Sequence, residues 1–407
     1  MNRTNILLII PHLGSGGAQQ VFREQFVFYR QHANVVGCVF NWEGAFANDK
    51  MSGIVSLDVP GGHNLFQKAV FFWKRIKRLR RLKQQHNIDV SISHLEGADY
   101  VNVISSGREK TILWIHGTKK FDQEIQGTLG WLRKRKLIPL LYRRTARIIA
   151  VSEGIRQELI REYRLPPAMV ITIHNGIDMS DIQNKSRQEN ARAKAWKGSL
   201  TLITHCRLAR QKNLTEMIEI FAAVRKKRPA RLILLGDGEQ RSSLLRLAKA
   251  HHLSVYSAWD LSQAPEKPDV YFLGHQTNPF SFLSQASVYV MTSDWEGFPL
   301  SLCEAMACGV PVLAADCYTG PREILAPQLK ADQPIESPLI TPFGMLMPMA
   351  DAKHRHFWVN AICQLGDNES MRNLASAAAI IRAMDFDCRK VELKWLEIIA
   401  GSGIQTI

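Results

Sequence analysis

Short apolar runs that end in glycine or polar turns recur along this chain, separated by stretches of helical character. NILLII (5–10) runs into a glycine-rich loop, and GAQQVFREQFVFYRQH after it reads as a helix. NVVGCVF (34–40), DVSISH (89–94), TILWIHG (111–117) and ARIIAVS (146–152) repeat the figure, and VITIHNGID (170–178) closes the half. Continuous apolar strands alternating with helices predict a parallel sheet covered on both faces. The alternation restarts with SLTLITHCRL (199–208), a helix from Leu214 to Lys227, RLILLGDGE (231–239), VYFLG (270–274), VYVMTS (288–293) and PVLAAD (311–316). The intervening DIQNKSRQENARAKAWKGS (181–199) is polar and poor in large apolar residues, which predicts a linker. The expected fold class is therefore α/β: two facing, Rossmann-like, doubly wound parallel-sheet domains over 1–180 and 200–384, with a final helix in 385–407. Ligands in such folds bind at the carboxyl ends of strands, here in an interdomain cleft.

Composition narrows the class. At 407 residues and 46% apolar the chain is globular and long enough for two domains. No apolar run approaches the ~18–20 residues that span a bilayer. The start, MNRTNILLIIPHLGSGG, reads as a strand entering a turn rather than as a signal peptide. Seven cysteines without a Cys-x-x-Cys pair suit a reducing, cytoplasmic setting.

Charge is lopsided. Residues 1–175 hold 26 Lys and Arg against 13 Asp and Glu, the remainder 26 against 24, so the net +15 belongs to the first half. KAVFFWKRIKRLRRLK (68–83) carries eight basic residues and WLRKRKLIPLLYRRTAR (131–147) seven, with no acid in either. Leu65, Ala69, Phe72, Ile76 and Leu79 recur at helical spacing, which predicts an amphipathic helix. Its cationic face is either solvated or in contact with something anionic: a lipid surface, a phosphate-bearing acceptor or nucleic acid.

Candidate chemistry concentrates in DWEGFPLSLCEAMACGVPVLAAD (294–316). Asp294 to Phe298 form the loop beyond a strand's carboxyl end, and Pro299 suits the first helical position. The amides of Leu300 and Ser301 would then face an anion such as a phosphate. Glu304, in the second turn, would repel a phosphate and suits a ribose diol; Glu296 would face the other end of the ligand. Arg207 and Lys212 in CRLARQKNL (206–214) can clamp a diphosphate. Gly16 and Gly17 let backbone approach a ligand at a helix start. The single Asp-x-Asp, Asp385–Asp387, reads as a helix cap at Asp387 rather than as a metal motif. His12, His94 and His174 read as structural.

Glu296 and Glu304 within EGFPLSLCEAMACGVPV resemble the signature of the retaining nucleotide-sugar glycosyltransferases of family 4, which have the two-domain GT-B fold. GGAQ, the HG after the 111–115 strand, VSEGI (151–155), HNGID (174–178), CRLARQKNL, LGDGEQ (235–240) and FLG (272–274) follow in the family's order across about 380 residues. DCYTGPREIL (316–325) is similar to members that build bacterial surface polysaccharide or lipopolysaccharide. The resemblance implies that Glu296 contacts the donor sugar and Glu304 the ribose. It further implies that Arg207 and Lys212 hold the diphosphate, His116 the sugar, and Gly16 and Gly17 the phosphates. Gly274, Phe298, Pro299, Leu300 and Ser301 complete the donor site. Gln19 stands where many members have Glu, and Cys206 where Gly is usual. The first domain would take the acceptor, and the last helix would pack back on it.

The expectation is a retaining, metal-independent transferase without cofactor. It would move a sugar from a nucleotide diphosphate sugar, UDP being commonest, to an anionic lipid-linked or lipopolysaccharide-type acceptor. Residues 65–83 and 131–147 would touch the inner face of the cytoplasmic membrane. Three competitors are a sugar-nucleotide epimerase of the same fold, a basic nucleic-acid-binding protein and a non-catalytic sensor. Apart from Phe71, Phe72, Trp73 and Trp131 at their edges, the basic windows lack interleaved base-stacking aromatics, which speaks against nucleic acid.

Overall fold

A computed structural model describes residues 3–14, 16–42, 52–121, 130–131, 133–194, 196, 198–260, 265–329 and 333–400. Of the segments singled out above, 1–2, 15, 132, 195, 197 and 401–407 lie outside the described residues. The chain divides into two compact units, one running to Asn175 and resuming at Val391, the other from Gly176 to Lys390.

The first unit is a parallel sheet of β1 (Asn5–Ile10), β2 (Asn34–Val39), β3 (Ile54–Ser56), β4 (Val90–His94), β5 (Lys110–Ile115), β6 (Arg147–Ala150) and β7 (Val170–Thr172). Its order is β3-β2-β1-β4-β5-β6-β7, so the direction of winding reverses between β1 and β4. Buried on both faces, β1 is apolar after Asn5, as the continuous run predicts, while β4 alternates Val90 and Ile92 with buried Ser91, Ser93 and His94. The helix Leu65–Gln85 starts at Asn64, whose side chain accepts from the Gln67 amide at 2.8 Å. It departs from the amphipathic stripe expected of it. Only Ile76, Leu79 and Lys83 are buried, Phe72 is half-buried, and Leu65 and Ala69 are exposed. The carboxyl-terminal half packs on Leu7, Ile9 and Cys38; the first turns extend past that core and leave their apolar side chains open.

The helix Cys388–Ala400 rejoins the first unit at Val391. Its Trp395 is fully buried, 5.7 Å from the Phe28 ring, 6.2 Å from Tyr29 and 6.1 Å edge-on to Trp114. Asp387 caps the helix, accepting from the Arg389 amide at 3.0 Å.

The second unit is built on β8 (Leu200–His205), β9 (Ala230–Leu235), β10 (Val255–Ser257), β11 (Val270–Gly274), β12 (Val288–Met291), β13 (Val312–Ala315), β14 (Leu339–Thr341) and β15 (Gly344–Met347). The order β10-β11-β9-β8-β12-β13-β15-β14 puts the reversal between β8 and β12; only the β14–β15 pair is antiparallel. Residues 181–199, expected to be a linker, contain part of the helix Met179–Ser186 and the turn of helix Ala191–Lys194, and belong to this unit. Three apolar anchors suffice: Ile182 and Ala193 are buried, and Trp196 packs against the rings of Tyr271 and Phe282.

Trp395→Ala should destabilise the protein by about 3–5 kcal/mol, the usual cost of emptying a large aromatic site. Leu393→Ala, on the exposed side of the same helix, should stay within about 0.5 kcal/mol. Urea unfolding of both variants checks this; equal effects would mean the helix face has been assigned wrongly.

Candidate functional site

At the β8/β12 switch point of the second unit, three loops leave the carboxyl ends of strands and are laced together. The turn Arg210–Lys212 and the left-handed Asn213 (φ 48°) follow β8. The Asp294 amide donates to the Gln211 carbonyl at 2.9 Å, and the Gln211 side-chain amide donates to the Trp295 carbonyl at 2.7 Å. Asn213 Nδ2 reaches both Asp294 Oδ1, at 3.0 Å, and the Ala350 carbonyl, at 2.9 Å. On the other side the Glu296 amide donates to the Tyr318 carbonyl, and Thr319 Oγ1 to the Glu296 carbonyl. Gly320 (φ 91°) sits against this loop with no room for a side chain: a Cβ there would lie 2.6 Å from Pro299 Cδ.

Glu296 is 5% exposed and its Oε1 lies 2.7 Å from Lys212 Nζ. Burial works against the lysine's charge, but the carboxylate beside it outweighs burial and raises the Lys212 pKa. The two residues were expected to address different parts of a ligand; the structure pairs them with each other, because a buried carboxylate needs the nearest cation. Arg207 is exposed and makes no side-chain hydrogen bond or ion pair among the described residues. It is held at the mouth of the site by its backbone, where the Leu208 amide donates to the Asp237 carbonyl and the Cys206 amide to the Leu235 carbonyl. Two glycines make that approach possible. A Cβ on Gly236 (φ 128°) would fall 2.0 Å from the Cys206 carbonyl oxygen, and one on Gly238 2.5 Å from that of Leu208.

The helix Leu300–Ala307 starts one residue later than expected. Pro299 is its cap, extended at ψ 95°, with its carbonyl accepting from Leu302 at 3.1 Å. The Leu300 and Ser301 amides have no acceptor among the described residues and face out of the helix start. The Ser301 side chain is 3.0 Å from the Tyr289 hydroxyl. Phe298 is buried edge-on against Phe386 at 5.2 Å. Glu304, 6% exposed in the second turn, faces the imidazole of His205 at the end of β8, whose Nδ1 is 3.5 Å from the carboxylate. His205 escaped the sequence reading, because its only signal is its place at a strand end. Gly274 (φ 68°) closes the other side, where its carbonyl accepts from the Gly236 amide at 2.8 Å and the Trp259 indole leans on it.

In the first unit, Gly16 (φ 154°) caps the helix Gly17–His32 after β1 without a side chain, and a Cβ there would meet Gln19 Oε1 at 2.7 Å. His116 follows β5. Its Nε2 lies 2.8 Å from Nδ1 of His94 at the end of β4, so one ring donates and the other accepts. His94 was expected to be structural; the structure makes it the direct partner of His116. Burial, reinforced by the nearby Lys119 charge, pushes the His116 pKa down to about 3; burial, with His116 adding, pushes His94 well below its usual range. Beside them, buried Glu96 holds Lys119 and Arg133, each at 2.8 Å, and accepts from the Tyr100 hydroxyl. Asp99 accepts from Ser93 at 2.7 Å and from Tyr142 at 3.3 Å, and burial raises it to about 7.

Among the described residues no group of three His, Cys, Asp or Glu is arranged to hold a metal ion. None of the described helices is long and apolar enough to cross a membrane. A cavity of about 520 Å³ lies between the β14–β15 hairpin and the helix Glu369–Ala383, and none of the residues above lines it.

The two imidazoles stay neutral in the fold but charge in the unfolded chain below about pH 6.5. Stability should therefore fall as pH drops from about 6.5 towards 3. Asp99 acts oppositely, since its raised pKa makes it stabilising only while protonated. His94→Phe keeps the ring contacts with Phe22 and Trp114 and removes one titrating group. Its unfolding free energy between pH 6 and 4 should fall less steeply than wild type by about 1.4 kcal/mol per pH unit. Parallel slopes would show that His94 titrates normally.

The chain matches two family models, Glycosyltransferase Family 4 over residues 15–181 and Glycosyl transferases group 1 over residues 186–331. It is 27% identical over 362 residues to an uncharacterized glycosyltransferase of Methanocaldococcus jannaschii, covering 81% of this chain and 83% of that one. It is 23% identical over 406 residues to the N-acetylgalactosamine-N,N'-diacetylbacillosaminyl-diphospho-undecaprenol 4-alpha-N-acetylgalactosaminyltransferase of Campylobacter jejuni, 97% and 99% of the two chains. In fold it is similar to Anabaena HepE solved with UDP-glucose, with a TM-score of 0.74 and 20% identity over 98% and 99% of the chains. Two α/β units of Rossmann type, adjoining family matches and relatives of the same kind along almost the whole length lead to one assignment: the chain belongs to the family 4 type of glycosyltransferases, with the GT-B fold.

Proposed function

We propose that this protein transfers a sugar, with retention of configuration, from a nucleotide diphosphate sugar of the UDP type to an anionic, membrane-associated glycan acceptor in surface polysaccharide or lipopolysaccharide synthesis. The observation that carries the reading is the set of uncommitted donors at the β8/β12 switch point. The Arg207 guanidinium and the Leu300 and Ser301 amides are unsatisfied, beside the buried Glu296 and Glu304. A leaving diphosphate gains negative charge in the transition state, and donors fixed in advance stabilise it without reorganisation.

In this reading Arg207 and the two amides take the diphosphate, with Lys212 reinforcing them. Glu304 accepts from the ribose hydroxyls and Glu296 from the sugar's. The family resemblance assigns His116 to the donor sugar and Gly16 and Gly17 to its phosphates. Glu296 is engaged by Lys212, a poor arrangement for a free nucleophile. The acceptor oxygen therefore bonds to the anomeric carbon on the face that the phosphate leaves. The carbon–phosphate-oxygen bond breaks, and the acceptor's hydroxyl proton passes to the departing oxygen. Protein cations supply the charge stabilisation, so turnover in chelator is expected. An inverted product anomer would overturn the mechanism, and activity that only magnesium restores would overturn metal independence.

Acceptor and location rest on two supports. The Campylobacter relative is named for a diphospho-undecaprenol substrate. The basic segments of the first unit also carry exposed Phe66, Val70, Trp73, Trp131 and Leu140, a mixture that suits the interface of an anionic inner membrane. Sedimentation with anionic vesicles should fall as salt rises, and salt-independent binding would refute the electrostatic part. Neither the epimerase nor the nucleic-acid alternative is favoured by the family matches.

UDP at ~100 times its dissociation constant should add about 2.7 kcal/mol to the stability of the second unit. Glu304→Ala and Arg207→Ala should each remove most of that gain. Stabilisation by another nucleoside diphosphate would reassign the base, and no stabilisation by any would refute the donor site.

A further inference from the structure

The helix Glu369–Ala383 packs one side against β15 and the helix Leu300–Ala307 and leaves the other open. On the packed side Ala379 and Ala383 are buried, and the Ser376 hydroxyl donates to the Gly309 carbonyl at 2.6 Å. On the open side Leu374 and Ile381 are 72% and 63% exposed, and Met384, in the turn that follows, is 46% exposed. The cavity of about 520 Å³ lies along this helix, and its lining, which includes Ile340, Leu374, Ala375 and Ala378, holds no charged residue. Ile340, on the edge strand β14, is itself 65% exposed. Together these side chains make an apolar face on the order of 400 Å², as large as the patches that mark interaction sites on single chains.

The order of residues along the stripe says what covers it. About a point midway between Ala377 and Ala378 it reads alike in both directions: alanine against alanine, Leu374 against Ile381, half-buried Met371 against Met384. A two-fold contact needs this property, because residue i of one copy meets residue j of the other and j meets i. A foreign partner would impose no such condition on the sequence. Alanines at the centre let two helix axes approach closely, and the larger pairs then pack on either side of the crossing. Charge agrees with a second copy. Both arginines of the helix are held by their own unit, Arg372 by the Leu365 and Gly366 carbonyls and Arg382 by those of Glu323 and Ile324 and by Asp385. Exposed Asp385 would fall opposite Ser370 in the first turn of the partner helix, where the dipole favours an acid. The unit itself is close to neutral, with 25 basic against 22 acidic residues, so two copies meet there without the repulsion that the first unit's positive charge would impose. Two such faces together approach the ~1,000 Å² that a specific interface needs.

We propose that this face binds a second copy of the chain, the two Glu369–Ala383 helices crossing antiparallel at Ala377 and Ala378, with Ile381 of each copy filling the groove between Leu374 and Ile340 of the other. The proposal goes beyond the transferase reading and does not depend on it.

Sedimentation velocity of the full chain over a concentration series tests this, and a dimer that dissociates on dilution is expected. Leu374→Lys and Ile381→Glu each put a charge on the stripe at a position open to solvent in the single chain, and each should weaken the dimer about tenfold or more. Mixed in equal amounts, the two variants should associate more tightly than either does alone. The introduced charges then face each other across the two-fold axis, while the second Leu374–Ile381 contact stays intact. Ala377→Cys should cross-link two copies under mild oxidation and Asn373→Cys, a turn away from the centre, should not; the wild type controls for the seven native thiols. A monomer at every concentration would overturn the proposal, as would a dimer that neither charge weakens. No gain on mixing would overturn the antiparallel register and the two-fold with it. A chain that stays monomeric but loses vesicle binding in Leu374→Lys would also overturn it, and would make the face a membrane contact. Should a charged variant fail to fold, the cysteines still decide, since cross-linking at 373 as readily as at 377 refutes the crossing point.

Discussion

The pairing of Lys212 with Glu296 is the contact on which the rest of the second unit's site depends. A carboxylate that is 5% exposed is costly to keep ionised alone, and removing one partner of such a pair typically costs about 3–5 kcal/mol. Each charge therefore fixes the other, and with them the turn after β8 and the loop after β12. Once those loops are held, the start of the helix Leu300–Ala307 has one position, and its two free amides point out of the switch point. The pair also divides the labour. On the proposed reading, Lys212 is already partly neutralised when a ligand arrives, so the full charge available to a diphosphate is that of Arg207.

Arg207 in turn depends on an approach that side chains would forbid. Residues 206–208 run against 236–238 backbone to backbone, and Gly236 and Gly238 meet carbonyl oxygens where any Cβ would collide. This explains why a cysteine is tolerated at 206, where the family usually has glycine. The close contact there is made by the Cys206 carbonyl, while its side chain turns toward Thr204, with the sulfur 3.9 Å from the hydroxyl. The glycines that matter lie on the opposing loop.

Long apolar strands and their helices were legible in the sequence because a strand buried on both faces has no polar phase to blur it. VYFLG coincides with β11, and the Leu214–Lys227 helix with its observed bounds. What stayed hidden was short or sparse. β3, β10 and β14 are three residues each, and β15, a buried GMLM, lies between proline-rich stretches. The segment 181–199 looked like a linker since its few anchors, Ile182 and Trp196, are far apart in a polar sequence. In the site, residue types and strand-end positions could be read, but pairings could not. Nothing in the spacing says that Glu296 meets Lys212, or that His94 meets His116. Those contacts follow from strand register, which puts His94 opposite Trp114, two residues before His116.

The uneven charge of the two halves acquires a physical sense on the proposed reading. A donor site must bind a nucleoside diphosphate and release it after every turnover, so a strongly basic second unit would retain its product. Its balance of 25 basic against 22 acidic residues, with Lys212 paired, leaves short-range donors to recognise the diphosphate. Such donors discriminate by geometry and fall off within a few ångströms. The acceptor poses the opposite problem, being confined to a surface that the enzyme must find and leave. Long-range attraction serves that search, and it is screened within about 8 Å at physiological salt. The basic residues are therefore effective only where they stand, on the exposed helix start and the facing 133–137 segment, beside apolar side chains that engage once contact is made.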